Sequence, residues 1–164
     1  MSKLLTVEQT VEVGTRCICF RAQRAARALA RRFDAAFRPF GIKQGQFSLM
    51  QTLNRPGVAT MNSVAEFLSM DRTTLTAALK PLIRRELVSV TADPKDRRVR
   101  QLTLTRKGHS LLLDMMPIWR AEHDAVDRLI LALEDDLDLE ALRNGIGALG
   151  NADQIDRPTS EKGS

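Results

Sequence analysis

The side chains most able to do chemistry in this sequence lie between Asp93 and Arg100, where six of eight residues carry a charge. Apolar residues alternate with polar ones on both sides of this segment, which predicts two strands joined by a loop. The apolar positions are Val88, Val90 and Ala92 before the loop and Leu102 and Leu104 after it. A basic loop at a hairpin tip can bind a polyanion. The alternative is a soluble hairpin tip whose charges pair with one another.

A second set of polar side chains begins the helix that is predicted directly before the hairpin. Asp71 is a suitable N-cap for this helix, because its carboxylate can accept hydrogen bonds from first-turn amides. Leucines at core spacing turn inward, so the polar residues between them point outward. Such side chains can bond DNA phosphates or base edges, or they can form an ordinary polar helix start. The candidates for DNA contact before the loop are Ser63, Arg72, Thr73, Thr74, Thr76 and Lys80.

The sequence of the N-terminal half of the chain predicts four helices. The first is a long amphipathic helix from about Val7 to Arg38, with one apolar and one basic face, and "RPFG" ends it. "KQGQFSLMQTLNR" is the second, and a brief extended segment follows it. A short third helix, "SVAEFLSM", can be capped by Asn62 or Ser63. In the fourth, which follows Asp71, Pro81 is expected to cause a bend.

After the hairpin the sequence predicts two more helices. Thr105 can cap a long helix from about Arg106 to Leu133, and Pro117 is expected to kink it because proline removes one backbone hydrogen bond. "LDLEALRNGIGAL" predicts a short final helix. The polar residues 151–164 predict a disordered tail.

Two segments, "SVAEFLSMDRTTLTAALKPLIRRELV" and "DPKDRRVRQLTLTRKG", resemble the MarR (multiple antibiotic resistance regulator) family of bacterial transcription factors. The resemblance implies a mainly α fold with a small β-hairpin wing, in which a winged helix-turn-helix is joined to N- and C-terminal dimerisation helices. It implies a single unit over residues 1–150, with the winged helix-turn-helix at about 42–105 and the dimerisation helices at about 7–40 and 106–149. It also implies a homodimer that straddles a palindrome in double-stranded DNA.

The same resemblance suggests roles for residues of the charged loop. It points to Arg98 as the residue that enters the minor groove, where an Arg gains from the enhanced negative potential of narrow A·T-rich DNA. It gives Asp96 the role of bracing the loop, by pairing with a neighbouring Arg. Lys95 and Arg97 complete the expected DNA contacts of the wing.

The distribution of charge supports a basic working face. The net charge of the whole chain is +5. Residues 71–107 carry ten basic and four acidic side chains, whereas residues 108–164 carry five basic and twelve acidic ones. Because a basic face attracts anions, nucleic acid is a natural partner. An acidic protein bound by a helical adaptor is an alternative partner, and so is a small anionic or aromatic effector, for which the basic face of the first helix offers a cavity lining.

Cys17 and Cys19 are the only cysteines. Two residues of a helix are about 200° apart, so the thiols would face opposite sides unless the helix opens there. They are interpreted as packing residues or, alternatively, as a redox sensor. His109 and His123 lie fourteen residues apart and cannot share one metal ion within a chain.

Several functional classes find no support in the sequence. It shows no Ser-His-Asp set, no metal-spaced cluster and no glycine-rich phosphate loop, so neither an enzyme nor a cofactor is expected. No apolar run of about 18 residues and no signal-peptide pattern is present, which predicts a cytoplasmic protein outside the membrane. The favoured hypothesis is a sequence-specific transcriptional regulator, a repressor released by a small-molecule effector. The alternatives are an effector-insensitive architectural DNA-binding protein and a cysteine-based redox-sensing regulator.

Overall fold

A computed structural model of the chain describes residues 4–134 and 136–151. Seven α-helices, one 3₁₀ turn and three short strands make up this part of the molecule, which is the mainly α fold expected. In chain order they are α1 (Val7–Arg16), α2 (Ile18–Ala36), the 3₁₀ turn (Arg38–Phe40), α3 (Gln44–Leu53), β1 (Ala59–Thr60), α4 (Met61–Phe67), α5 (Arg72–Arg84), β2 (Val88–Ala92), β3 (Arg100–Leu104), α6 (Arg106–Leu133) and α7 (Leu139–Gly150). The predicted disordered tail falls outside the described residues, apart from Asn151.

The prediction of one long N-terminal helix was wrong, because the chain breaks it at Cys17. This residue has an extended backbone (φ −75°, ψ 102°) and caps α2, where its sulfur accepts from the Phe20 amide at 3.4 Å. Hydrophobic periodicity does not detect such a break, since the apolar stripe continues beyond it and Cys is not a usual cap. The predicted end of the helix at "RPFG" agrees with the structure, in which α2 ends at Ala36 and the 3₁₀ turn follows. After this turn Gly41 adopts φ 62°, a conformation that suits glycine.

The three strands form one antiparallel sheet in the order β1-β3-β2. The predicted hairpin pairs Val88 with Leu104 and Ala92 with Arg100. The brief extended segment becomes β1 and pairs with the other side of β3, an arrangement that the sequence did not predict. The sheet therefore ties the wing to the start of α4.

Side-chain caps fix the first residues of α4, α5 and α6, the helices next to the wing. Asp71 caps α5 and Thr105 caps α6, as predicted. The cap of α4 is Thr60 rather than Asn62 or Ser63, because Thr60 has the extended backbone of a cap and exchanges hydrogen bonds with Ser63 in a capping box. The helices α5 and α6 both continue past their internal prolines.

The core lies beneath the wing and the N-terminal half of α6. The leucines predicted to turn inward from α5 are 2% exposed or less. They pack against Phe33 of α2, its C-cap Phe37 and the inward side chains of α3, the sheet and α6. The core includes Phe33, Phe37, Phe47, Leu49, Met50, Leu75, Leu79, Leu82, Leu102, Leu104, Leu112 and Met115. No described helix is long and apolar enough to cross a membrane.

Candidate nucleic-acid interface

The first turn of α5 is held by its aspartate cap. The Asp71 carboxylate accepts from the Thr74 amide at 2.8 Å and from the Thr74 hydroxyl at 2.5 Å. These bonds, that of the hydroxyl above all, hold the pKa of Asp71 below its ordinary value of 3.8. Arg72, Thr73 and Thr74 are all exposed on this turn. The cap thus presents the first residues of α5 to solvent in a fixed arrangement.

The three threonines of α5 differ in their free hydrogen-bonding capacity. The Thr74 hydroxyl donates to the cap, and the Thr76 hydroxyl donates to the Arg72 carbonyl at 2.7 Å. Both oxygens can still accept hydrogen bonds from base-edge donors. In the described structure the Thr73 hydroxyl makes no hydrogen bond, so it alone of the three keeps its proton free for a phosphate oxygen. Lys80 lies exposed further along the helix.

Asp93 organises the charged loop of the wing. Its carboxylate accepts from the Lys95 amide at 2.7 Å and from the Gln101 side-chain amide at 2.5 Å, and more weakly from the Asp96 amide. The bonds from Lys95 and then Gln101 lower the pKa of Asp93 below 3.8. Sequence reasoning missed this role, although an aspartate that bonds the amide two residues ahead is a common turn signal.

Asp96 shapes the loop through the backbone. Its carboxylate accepts from the Arg98 amide at 2.9 Å, and its carbonyl accepts from the Val99 amide at 2.9 Å. Within the described residues no ion pair joins Asp96 to an arginine, so the contact is to an amide and not, as expected, to a guanidinium. Lys95, Arg97 and Arg98 are all exposed around this turn.

The wing and the helix-turn-helix meet at a basic cleft. Arg72 from α5 and Arg98 and Arg100 from the wing line it together with the start of α4. Ser63, which was expected to contact DNA, lies on the first turn of α4, where its hydroxyl takes part in the capping box with Thr60. The structure thus brings two of the candidates, Arg72 of α5 and Arg98 of the wing, to one cleft.

A separate cavity of about 510 Å³ opens between α3, α4 and α6, away from the basic cleft. Its lining includes Phe47, Trp119 and Arg55, whose guanidinium lies 4.1 Å from the ring centre of Phe67. Gln44 also lines it, and the Gln44 side-chain oxygen is buried without a hydrogen-bond partner. The volume lies within the usual range for small organic ligands.

The residues considered for redox or metal chemistry lie elsewhere. Cys17 is half-buried and Cys19 is exposed, and both are free thiols. His123 is packed between the rings of Phe33 and Trp119, with ring centres 4.6 and 3.9 Å away. In the ranges 4–134 and 136–151, no three His, Cys, Asp or Glu side chains are grouped to hold a metal ion.

A capped helix followed by a braced two-stranded wing defines a winged helix-turn-helix protein, and comparisons identify its family. The model of the MarR family matches residues 42–99. The M. tuberculosis transcriptional regulator MosR, whose crystal structure was solved in complex with DNA, is 32% identical in sequence to this chain. The two structures superimpose with a TM-score of 0.70, and the match covers 87% of this chain and 100% of the MosR chain. This protein therefore belongs to the MarR family of transcriptional regulators, which bind DNA.

Two more relatives agree with this assignment. The HTH-type transcriptional regulator MhqR of Bacillus subtilis (strain 168) is 26% identical over 113 residues, which are 69% of this chain and 76% of MhqR. The transcriptional repressor CouR, bound to a 23-mer DNA duplex, is 26% identical with a TM-score of 0.65, over 95% of this chain and 100% of CouR. The family and the fold are those of transcription regulators rather than enzymes.

Proposed function

We propose that this regulator is a homodimeric repressor that binds a palindromic operator and leaves it when a small-molecule effector binds. The observation that carries the proposal is the shared basic surface of α5 and the wing, which no acidic side chain interrupts at the cleft between them. An exposed, capped helix of this kind fits the major groove, and a basic wing fits the adjacent minor groove. MosR and CouR, two relatives solved with DNA, support the same partner.

Most of the candidate residues have a role in this proposal. Thr73, Thr74 and Thr76 face the major groove, and Arg72 and Lys80 contact phosphates. Lys95, Arg97 and Arg98 contact DNA from the wing, while Asp93 and Asp96 keep the loop in shape. Phosphate contacts supply most of the affinity, and contacts to base edges and groove shape supply the selectivity.

A homodimer is supported by the apolar side chains that the terminal helices expose. Val7 is 79% exposed, Ile18 62%, Leu133 77% and Ile146 62%. Exposed apolar side chains that form one patch mark an interaction site. We assign residues 7–40 and 106–149 to the dimer interface and 42–105 to DNA binding. Two winged units related by a two-fold axis then match the two halves of a palindrome.

The effector is proposed to bind in the cavity between α3, α4 and α6. Its aromatic walls suit a planar ring, Arg55 at its edge suits a carboxylate, and the unpartnered Gln44 oxygen suits a hydroxyl donor. Such a ligand is a hydroxylated aromatic acid or a related anion. CouR of Rhodococcus jostii RHA1 has been crystallised with p-coumaroyl-CoA, which supports ligand control within this fold.

A redox-sensing regulator is the second candidate, and the helix break at Cys17 is the observation that favours it. On a continuous helix the two thiols would face opposite sides, but Cys17 lies outside α2 with an extended backbone. A peroxide could oxidise the two thiols to one disulfide, with reduction of the peroxide to water or alcohol and water. Peroxide treatment should then weaken DNA binding of the wild type but not of Cys17→Ser.

Selection of bound sequences from random duplex DNA, followed by footprinting, tests the proposed function. A repressor of this kind selects a discrete palindrome, and a candidate aromatic acid lowers its affinity. An architectural protein instead covers duplexes of any sequence and does not respond to the acid. An adaptor for acidic proteins shows no salt-dependent duplex binding.

A further inference from the structure

Three arginines from two different elements converge on the cleft between the helix-turn-helix and the wing. Arg72 is the first residue of α5, and Arg98 and Arg100 lie at the end of the wing loop and the start of β3. The three side chains line a cleft of about 240 Å³. The rest of the lining comes from residues 60–62 at the start of α4 and from Val99. We call this space the arginine cleft.

The arginine cleft has positive charge without a protein counterion. Guanidinium groups stay protonated at any physiological pH, so three of them in one cleft repel one another. No carboxylate lines the cleft, and among the described residues none of the three arginines forms an ion pair. The carboxylates of the nearby aspartates form no ion pair with the three arginines: Asp71 accepts from Thr74, and Asp93 and Asp96 accept from wing amides.

The size and donors of the arginine cleft favour a small oxyanion. Its volume is below the range of about 300–1,000 Å³ that is usual for organic ligands. Guanidinium groups present paired N–H donors that match the oxygens of a phosphate. The Asn62 side chain adds a neutral amide to the same lining.

We propose that the arginine cleft binds one tetrahedral oxyanion, a phosphate group, and thereby fastens the wing to the start of α5. The oxyanion has two sources: a phosphodiester of bound DNA, which rests on the proposed function, and free inorganic phosphate, which does not. Arg98 then clamps a phosphate with Arg72 and Arg100. Arg97, which is exposed and does not line the cleft, is left as the wing arginine free to enter the minor groove.

The first experiment uses inorganic phosphate as the probe, with the DNA-free full-length protein. Arginine Nε–Hε signals are followed by NMR during titration with phosphate or with chloride at equal ionic strength. We expect saturable shifts at Arg72, Arg98 and Arg100 with phosphate only. Replacement of any of the three by Gln should weaken phosphate binding roughly tenfold, the loss expected for a hydrogen bond to a charged group. The matched control Arg97→Gln should stay within about twofold of the wild type.

The second experiment uses duplex DNA selected by the wild-type protein, with single phosphates ethylated. We expect one phosphate in each half-site whose ethylation weakens binding of the wild type and of Arg97→Gln but not of Arg72→Gln or Arg98→Gln. If phosphate binding is saturable and no such position exists, the oxyanion is a free anion rather than a DNA phosphate. If no duplex is selected, the proposed function is wrong, but the phosphate titration still tests whether the arginine cleft binds an oxyanion.

Two results would overturn the proposal that the arginine cleft binds a phosphate group. One is a phosphate response no different from that of chloride. The other is equal loss of phosphate binding in Arg97→Gln and in the three cleft variants, since that would reflect general charge. Thermal unfolding of each variant identifies any that fail to fold, and the unsubstituted protein still gives the chloride comparison.

Discussion

At the scale of single residues, the wing arginine Arg98 carries the clearest prediction. Arg98→Ala should weaken binding to the selected duplex roughly tenfold or more, because a charged contact from the wing to DNA is lost. Fluorescence anisotropy measures the affinity, and the melting temperature should not change. Arg84→Ala, at the exposed C-terminal end of α5 and outside the proposed contacts, is the control. Equal affinities of Arg98→Ala and the wild type would remove the wing from the interface.

Asp93 gives a prediction for pH. Its pKa in the folded protein lies below the ordinary value of 3.8 because the Lys95 amide and then Gln101 bond the carboxylate. The hydrogen bonds that the Asp93 carboxylate accepts are therefore fully formed above pH 3.8, and they are lost as the pH falls through the pKa of the folded protein. The Lys95 amide signal should titrate with a midpoint below 3.8 in NMR spectra. Asp93→Asn should abolish this titration and Asp114→Asn should keep it; a midpoint at or above the ordinary value would contradict the bracing.

At the scale of elements, Gly108 is needed for the close approach of α6 to the sheet. A Cβ on this residue would lie 2.3 Å from the Leu87 carbonyl oxygen and 2.8 Å from a Leu104 methyl. Because backbone cannot easily move aside, Gly108→Ala should lower the free energy of unfolding by about 1–3 kcal/mol in urea denaturation. Gly45→Ala on α3 is the matched control, since nothing lies within 4 Å of its added Cβ. Equal stability of the two variants would contradict the packing.

The elements also show what the sequence could and could not predict. Asp71 and Thr105 were identified as caps because short polar side chains before apolar periodicity have few other roles. Thr60 was missed because it belongs to a strand of two residues that only pairing with β3 makes visible. The break at Cys17 was missed for a similar reason, because the spacing of apolar residues does not reveal a local change in the backbone dihedral angles.

The interface itself was predictable in location but not in its contacts. Outward-facing polar residues on α5 and charges on the loop follow from spacing alone. The convergence of Arg72 with Arg98 and Arg100 does not, because it depends on the pairing of β1 with β3, which brings the start of α4 beside the wing. The bracing role of Asp93 likewise requires the position of Gln101 across the hairpin, which pairing register sets.

At the scale of the whole molecule, the exposed apolar side chains of the terminal helices predict a dimer. Ile146→Asp should shift the protein towards a monomer in sedimentation analysis, because it places a charge in a buried interface. Operator binding should fall with it, since each half-site contact is then made alone. Val58→Asp is the control, as Val58 is 65% exposed but lies outside the terminal helices. A stable Ile146→Asp dimer would exclude α7 from the interface.

The central claim is that α5 and the wing together bind a defined operator. Hydroxyl-radical footprinting of the selected duplex tests this claim most directly. We expect two protected regions related by a two-fold axis and separated by about one helical turn or a multiple of it. Arg98→Ala should weaken the protection of both regions. Uniform protection along the duplex, or protection that depends only on salt and not on sequence, would show that α5 and the wing do not bind a defined operator.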